Sequence, residues 1–375
     1  MGAEAILFTT TTNSNSGEAP LVLGLQAAAL VDHVARVDWS LLDQLPGERG
    51  GSIPVQFEEL EHILREVKTH VISSPDESLD SLPMKTMAGG SVANTIRGLS
   101  AGFGISSGII GACGDDEQGR LFVSNMSSHA VNLERLRMKK GHTAQCVCLV
   151  DASGNRTMRP CLSSAVKLHP KEDGLTRADF KGCKWLLLRY GIIYIEVIQA
   201  AIQVAKQEGL LVSLDLASFE MVRNYKSPLL QLLESGNIDL CFANEDEATE
   251  LIRGCNGEQD ADPEAALEYL GKHCQWAVVT LGSNGCIAKH GKEIARVPAI
   301  GTANAVDATG AGDLFAGGFL YGLVKGLSLE ECCKVGSCSG GTVIRSLGGE
   351  VPPENWQWMY KQMQIKGLPL PDIQL

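Results

Sequence analysis

The chain is 375 residues long, 44% hydrophobic and 20% charged, the composition of an ordinary soluble globular protein able to bury a sizeable core. Forty-four acidic against 32 basic residues leave a formal charge of −12, and no Lys/Arg run exceeds a pair, which argues against a nucleic-acid surface. No run of 18 apolar residues occurs, so no membrane span is expected.

Residues 1–20 contain TTTTNSNSG, a polar segment expected to be a disordered tail. With Glu4 and Glu18, no Arg and no apolar stretch, it fits neither a transit peptide nor a secretory signal, and a cytoplasmic protein is expected. Leu21–Leu25 (LVLGL) reads as a buried first strand. The chain leaving it carries Asp32, where α/β sheets meet ligands, although a solvated loop acid is the simpler reading of that residue alone. Phe57, Leu60, Ile63, Leu64 and Val67 recur at helical spacing and predict an amphipathic helix over Phe57–His70. The polar run SSPDESLDS follows as a loop. In AGGSVANTIRGLSAGFG, Gly89 and Gly90 permit close backbone approach, and Asn94 projects from the first turn of a helix of small residues. A tight turn with no ligand is equally compatible with Gly-Gly.

Ile105–Cys113 reads as a buried strand and GDDEQGRLF as an acidic helix start. Over Thr143–Met158 two strands joined by an Asp/Gly/Asn turn form an antiparallel flap that interrupts the rhythm. The twelve cysteines are scattered through apolar runs, as small buried hydrophobes are, and no CxxC exists. Cys146 with Cys148, and Cys332 with Cys333, lack zinc-ligand spacing, so a reduced compartment without structural metal is expected. After Lys184 strand and helix alternate: WLLLRYG, Glu196–Gln207, LLVSLDL, Pro228–Glu234, IDLCFAN. Such alternation predicts a parallel, doubly wound sheet.

Asn244 is placed to cap the next helix, with Glu247 three residues on and on the same face. The pair suits hydrated magnesium, although three acids in that first turn also match the helix dipole without a ligand. Thr280, Gly282 and Gly285 end the strand that starts at Trp276, in either a plain hairpin or a nucleotide-phosphate loop. Val306–Leu323, VDATGAGDLFAGGFLYGL, is a Gly-rich turn running into a helix. Gly310 and Gly312 let the backbone curl so that free N–H groups and the helix dipole face an anion. Asp313 beside that cradle either caps the helix or takes a proton from an attacking hydroxyl. A P-loop and an HExxH motif are absent, and Phe315 occupies the third Gly position of a dinucleotide fingerprint. LSLEECCKVGSCSGGTVI follows, a helix whose small residues would let a flat base lie close. The parts together describe phosphoryl transfer from a nucleotide to a hydroxyl.

The chain resembles the ribokinase-like family of sugar and nucleoside kinases, the phosphofructokinase-B type. AGGSVANTI is similar to the family's first motif and DATGAGDLFAGGFL to its second, with Ala308 where Thr is more usual. GACGDDEQG, FANEDEA and VVTLGSNG fall between them in order, and the likeness covers roughly residues 21–350. The resemblance implies a doubly wound, mostly parallel α/β sheet flanked by helices, in one kinase domain over 21–375. A small antiparallel β lid would be drawn from about 33–55 and 140–162. It implies ATP and Mg2+, with Asp313 as general base and Gly310, Ala311 and Gly312 as anion hole. Asn244 and Glu247 would position magnesium and phosphate, Glu247 through water, and Thr280, Gly282 and Gly285 would lie in the nucleotide loop. Asp32, Gly89, Gly90 and Asn94 would contact the acceptor's hydroxyls, and Asp307 would bind a monovalent cation such as K+.

Before Asp32 the family's Gly-Asn or Gly-Asp step is replaced by GLQAAALVD, a departure that bears on the acceptor and not on catalysis. GNRTMRPCLSSA and FANEDEATEL are nearest in texture to adenosine-kinase-like members, which favours a nucleoside acceptor. A small-sugar kinase of ribose or fructose type and a catalytically silent binding or regulatory member are the alternatives. Monomer and homodimer are both compatible with the family.

Overall fold

Short apolar runs and amphipathic helices assemble into two sheets in a computed structural model describing residues 18–45, 50–70, 84–162, 165–253, 262–301 and 305–373. The polar run 73–81, most of the expected tail and part of the first expected lid stretch lie outside these residues. In chain order the strands are β1 (Val22–Gln26), β2 (Leu30–Arg36), β3 (Met84–Gly89), β4 (Ser107–Gly114), β5 (Leu136–Lys139), β6 (Ala144–Val150) and β7 (Arg156–Cys161). They continue as β8 (Trp185–Arg189), β9 (Leu211–Asp215), β10 (Leu240–Asn244), β11 (Trp276–Thr280), β12 (Cys286–His290) and β13 (Glu293–Val297).

The larger sheet runs β13-β12-β11-β10-β9-β8-β1-β4-β5. It is parallel from β11 through β5, with β12 and β13 added as an antiparallel edge. Its central strands are apolar on both faces because helices cover both. Val22, Ile109 and Cys113 point into one core, with the helices Ser91–Phe103, Ala311–Val324 and Leu329–Val343. Leu23, Leu25 and Ile110 point into the other, with the helices Ile195–Gln207 and Pro263–His273. The period-2 switch along β1 divides the two cores.

The smaller sheet runs β3-β2-β6-β7: two antiparallel pairs, β2 with β3 and β6 with β7, joined by the parallel pairing of β2 with β6. The helix Phe57–His70, found where the spacing predicts it, packs Leu60, Ile63 and Val67 against Ala35, Val147 and Leu149 on one face. The opposite face, with Val34, Cys146 and Cys148, turns to Leu347 of the main body. Arg36 Nη2 donates to the Val306 carbonyl at 2.7 Å and Ala308 N to the Gly154 carbonyl at 2.9 Å, which ties the two parts together.

Two readings need correction. Asp32 is not in a loop leaving β1; it sits inside β2, paired with Met87 and Cys146. Met84–Gly89 is a strand, where the sequence suggested only a turn before Asn94. After Trp276 the chain takes the hairpin alternative, β11–β12, and continues into β13. Among the described residues no helix is long and apolar enough to cross a membrane.

Candidate functional site

The strands β1, β8, β9, β10 and β11 end, at their carboxyl termini, in Gln26, Arg189, Asp215, Asn244 and Thr280. All five line one cavity of about 620 Å³ that also meets the smaller sheet. Parallel strands expose unpaired backbone at that end, which is where α/β proteins bind ligands.

The Gly-rich turn borders the cavity through Thr309, Gly310, Gly312 and Asp313. Gly310 precedes the helix with φ +79°, a left-handed conformation that disfavours any residue with a Cβ. Asp313 lies in the first turn, and no side chain caps this helix among the described residues, so the capping reading of Asp313 fails. Its Oδ2 instead accepts from Asn94 Nδ2 at 2.9 Å. The Thr309 hydroxyl is buried with no partner among the described residues, an orphaned donor at a helix N-terminus. Asp307, fully buried, accepts from Thr309 N and Gly348 N, each at 2.7 Å, and so holds the turn from behind. Neither Asp307 nor Ala311 lines the cavity.

Asp32, Gly90 and Asn94 also line the cavity, whereas Gly89 does not. A Cβ on Gly89 would lie 2.1 Å from the Asp32 carboxyl, and one on Gly90, at φ +92°, 2.7 Å from the Gln26 amide. The two glycines therefore make room for protein side chains. Gln26 donates to the Gly89 carbonyl at 3.0 Å and accepts from Ala93 N at 2.9 Å, satisfying a first-turn N–H of the helix Ser91–Phe103. The residue that departs from the expected Gly-Asn step thus braces the turn beside Asp32. Burial pushes the Asp32 carboxyl up to about 7, with Arg97 opposing the shift and Asp313 adding to it.

Arg97, buried at 3% exposure, donates to Asn94 Oδ1 at 2.9 Å, Asn125 Oδ1 at 2.8 Å and the carbonyls of Ala88 and Gly349 at 2.8 and 3.0 Å. Its hold on the Asn94 oxygen leaves the Asn94 NH2 facing Asp313. A chain Arg97–Asn94–Asp313 results.

Across the cavity, Asn244 caps the helix Glu245–Ile252 and closes a reciprocal box with Glu247. Asn244 Oδ1 accepts from Glu247 N at 2.8 Å, while the Glu247 oxygens accept from Asn244 N at 2.8 Å and Nδ2 at 2.9 Å. Burial, then the neighbouring Asp215 carboxylate, pushes Glu247 up to about 8. Burial also pushes Asp215 to about 6, with Arg189 opposing and Asp313 adding. Arg189 donates to Ser91 Oγ and to the Ala217 carbonyl, both at 2.6 Å. Ala217, at φ +77°, is a strained non-glycine whose N–H caps Asp215 Oδ1 at 2.9 Å. Thr280 reaches the cavity, but Gly282 and Gly285 lie beyond it in the β11–β12 hairpin, closed by Leu281 N to the Gly285 carbonyl at 2.7 Å.

Arg97, Arg189, Asp215 and Thr309 belong to this site and were not singled out from the sequence. Asp215 was findable: like Asn244, it is a polar residue ending an apolar strand.

A buried hydroxyl without a partner at a helix N-terminus, and two acids of the same cavity pushed upward by burial, fit a phosphate and a divalent metal. Residues 63–356 match the profile of the pfkB family carbohydrate kinases. The chain belongs to that family.

Among solved structures, a probable sugar kinase from Rhizobium etli CFN 42 is 27% identical with a TM-score of 0.79, covering 93% of this chain and 99% of its own. The adenosine kinase from Sinorhizobium meliloti is 29% identical with a TM-score of 0.78, over 92% of this chain and 99% of its own. Probable fructokinase-5 of Arabidopsis thaliana is 30% identical over 277 residues, 68% of this chain and 81% of its own. The ribokinase-like α/β fold, a large mostly parallel sheet flanked by helices with a smaller sheet beside it, is therefore as the motifs implied, and the chain is a sugar or nucleoside kinase. Membership of the pfkB family also implies that ATP is used.

Proposed function

We propose that this kinase transfers the γ-phosphoryl group of ATP to a hydroxyl of a nucleoside, with Asp313 as the general base. The observation that carries the reading is the fixed Asp313 carboxylate. It stands in the first turn of the helix Ala311–Val324, on the cavity wall, with Oδ2 held by Asn94. A carboxylate at a helix N-terminus that caps nothing is available to take a proton. The backbone N–H groups of Gly310, Ala311 and Gly312 would stabilise charge on the transferring group. Asn244, Glu247 and Thr280 would face the nucleotide phosphates, with Gly282 and Gly285 shaping the hairpin that carries Thr280. Magnesium on the Glu247 and Asp215 side would neutralise phosphate charge. Asp32 and Asn94 would accept from and donate to the acceptor's hydroxyls, with Gly89 and Gly90 admitting Asp32 and Gln26. Asp307 fixes the turn's shape, so a K+ ion bound there would act through that shape. The smaller sheet would close over the acceptor and exclude water.

A nucleoside rather than a small sugar is supported by apolar lining from Ile53, Met158, Leu162 and Ile192, more than a sugar needs, and by the likeness to the S. meliloti adenosine kinase. A small sugar is the second reading, favoured by the 30% identity with the fructokinase. ADP release with Mg–ATP across nucleosides and free sugars, with Asp313→Asn in parallel, tests both. A nucleoside should drive turnover that the variant loses by about 10³-fold. Turnover surviving the substitution would remove Asp313 from the mechanism. ATP binding with no turnover on any acceptor would favour a silent regulatory protein.

A further inference from the structure

We propose that Asp32, Cys146 and Cys148 form a binding site for a thiophilic divalent cation, zinc or cadmium in class, at the end of the cavity formed by the smaller sheet. Asp32 on β2 lies directly opposite Cys146 on β6, and Cys148 follows two residues later on the same face. One oxygen and two sulfurs from these side chains all lie within 4.8 Å of one another. The two sulfurs are 3.8 Å apart. Two thiolates bound to a tetrahedral zinc at about 2.3 Å each subtend roughly that same separation, so the sulfurs need no movement. The Asp32 oxygen needs to close by about an ångström, within reach of a χ rotation.

The spacing Cys-x-Cys does not match loop-type zinc ligands, but on a strand it puts both thiols on one face, and the third ligand comes from the neighbouring strand. Asp32 and Cys146 line the cavity, which gives an ion its entry. Binding displaces one proton from each thiol, and the Asp32 carboxyl proton where it is present, to solvent, and the sulfur lone pairs so freed form the two metal–sulfur bonds. Two thiolates and a carboxylate then carry −3 against the ion's +2, which offsets repulsion from the buried Arg97 nearby. Thiolates select zinc or cadmium over magnesium, so the ion used with ATP does not compete. With three protein ligands, the fourth position stays open toward the cavity. A metal-bound Asp32 cannot also accept from an acceptor hydroxyl, so metal and acceptor exclude each other. That consequence rests on the proposed acceptor role of Asp32; the metal site does not.

The test titrates Co2+ and Cd2+ into the reduced full-length chain and follows thiolate-to-metal charge-transfer absorption. The expected result is saturation at one equivalent, with Cys146→Ser, Cys148→Ser and Asp32→Asn each raising the dissociation constant at least about tenfold. Cys338→Ser, in the helix Leu329–Val343, should leave it unchanged. Absence of the band, or its survival in the Cys146→Ser/Cys148→Ser double variant, overturns the site. If the serine variants unfold, X-ray absorption of the Zn2+-loaded native chain decides: two sulfurs at about 2.3 Å with oxygen neighbours are expected, and four sulfurs or none refute it. Saturating acceptor should raise the apparent Cd2+ dissociation constant at least about fivefold. Metal binding without that competition keeps the site and removes the acceptor role of Asp32.

Discussion

The aim of Asp313 is set by residues far away in sequence. Arg97 claims the oxygen of Asn94, and only the NH2 side of that amide is left to face the carboxylate. Arg97→Lys keeps the charge but replaces a planar fork of five donors with three donors on a single nitrogen, which cannot span the four acceptors. It should cost about 2–4 kcal/mol of stability, because buried partners are left unmatched, and lower kcat by about tenfold or more while the KM for ATP holds. Denaturant melts and steady-state kinetics check both; an unchanged kcat would show that the relay does not position Asp313. Asp32 supplies a pH test. Its carboxyl is pushed up to about 7, so only above that pH does it offer an acceptor hydroxyl the stronger, charge-assisted bond of a carboxylate. Acceptor kcat/KM should therefore climb roughly tenfold per pH unit up to about 7 and then level, and Asp32→Asn should be lower and flat over that limb. A flat native profile through that range would remove Asp32 from acceptor binding.

Element packing rests on glycine at close helix contacts, and neighbouring glycines differ. A Cβ on Gly318 would meet Ser339 Cβ and the Val335 carbonyl at 2.8 Å, in the helix packed on Ala311–Val324. One on Gly317 would sit at ordinary contact, 3.5 Å from the Thr95 carbonyl. Gly318→Ala should therefore destabilise by about 1–3 kcal/mol, while Gly317→Ala should be neutral or gain up to about 1 kcal/mol of helix propensity. Urea midpoints that move together would refute the distinction. This contrast is invisible in FAGGF, as is much of the smaller sheet. The α/β alternation after Lys184 was readable because doubly buried strands are continuous apolar runs. β2 was not, because Asp32 and His33 interrupt its pattern, and β3 was not, because MKTMAG carries Lys85 and Thr86 and ends in glycine. The Gly-rich turn, Asn244 and Glu247 stood out because local backbone chemistry demands them, and Asn94 because it follows Gly89 and Gly90 in the first turn of a helix. Arg97, Arg189 and Asp215 draw their meaning from partners on other elements, which no local pattern carries.

At the scale of the whole molecule, the cavity stores protons. Asp32 is held to about 7 and Glu247 to about 8, both chiefly by burial, against ordinary values near 4. The folded chain therefore binds more protons than the unfolded chain above that ordinary range, and stability falls as pH rises through the folded values. Groups with opposite signs act elsewhere. His33, lowered by burial, costs stability as pH falls below its ordinary value of 6.5, and Asp116 and Asp173, both lowered, act on the acid side. Between about pH 6.5 and 8 the raised acids should therefore dominate, and the ligand-free chain should unfold at lower urea as pH increases. If magnesium binds against Glu247 and Asp215, it favours their ionised forms, so adding Mg–ATP at neutral pH should expel protons and flatten that slope. Calorimetric titration in two buffers of different ionisation enthalpy measures the release directly, and it should shrink above about pH 8 as Glu247 ionises unaided. A binding heat independent of buffer, together with an unchanged urea slope, would mean that the metal is held elsewhere and that the buried acids serve the fold alone.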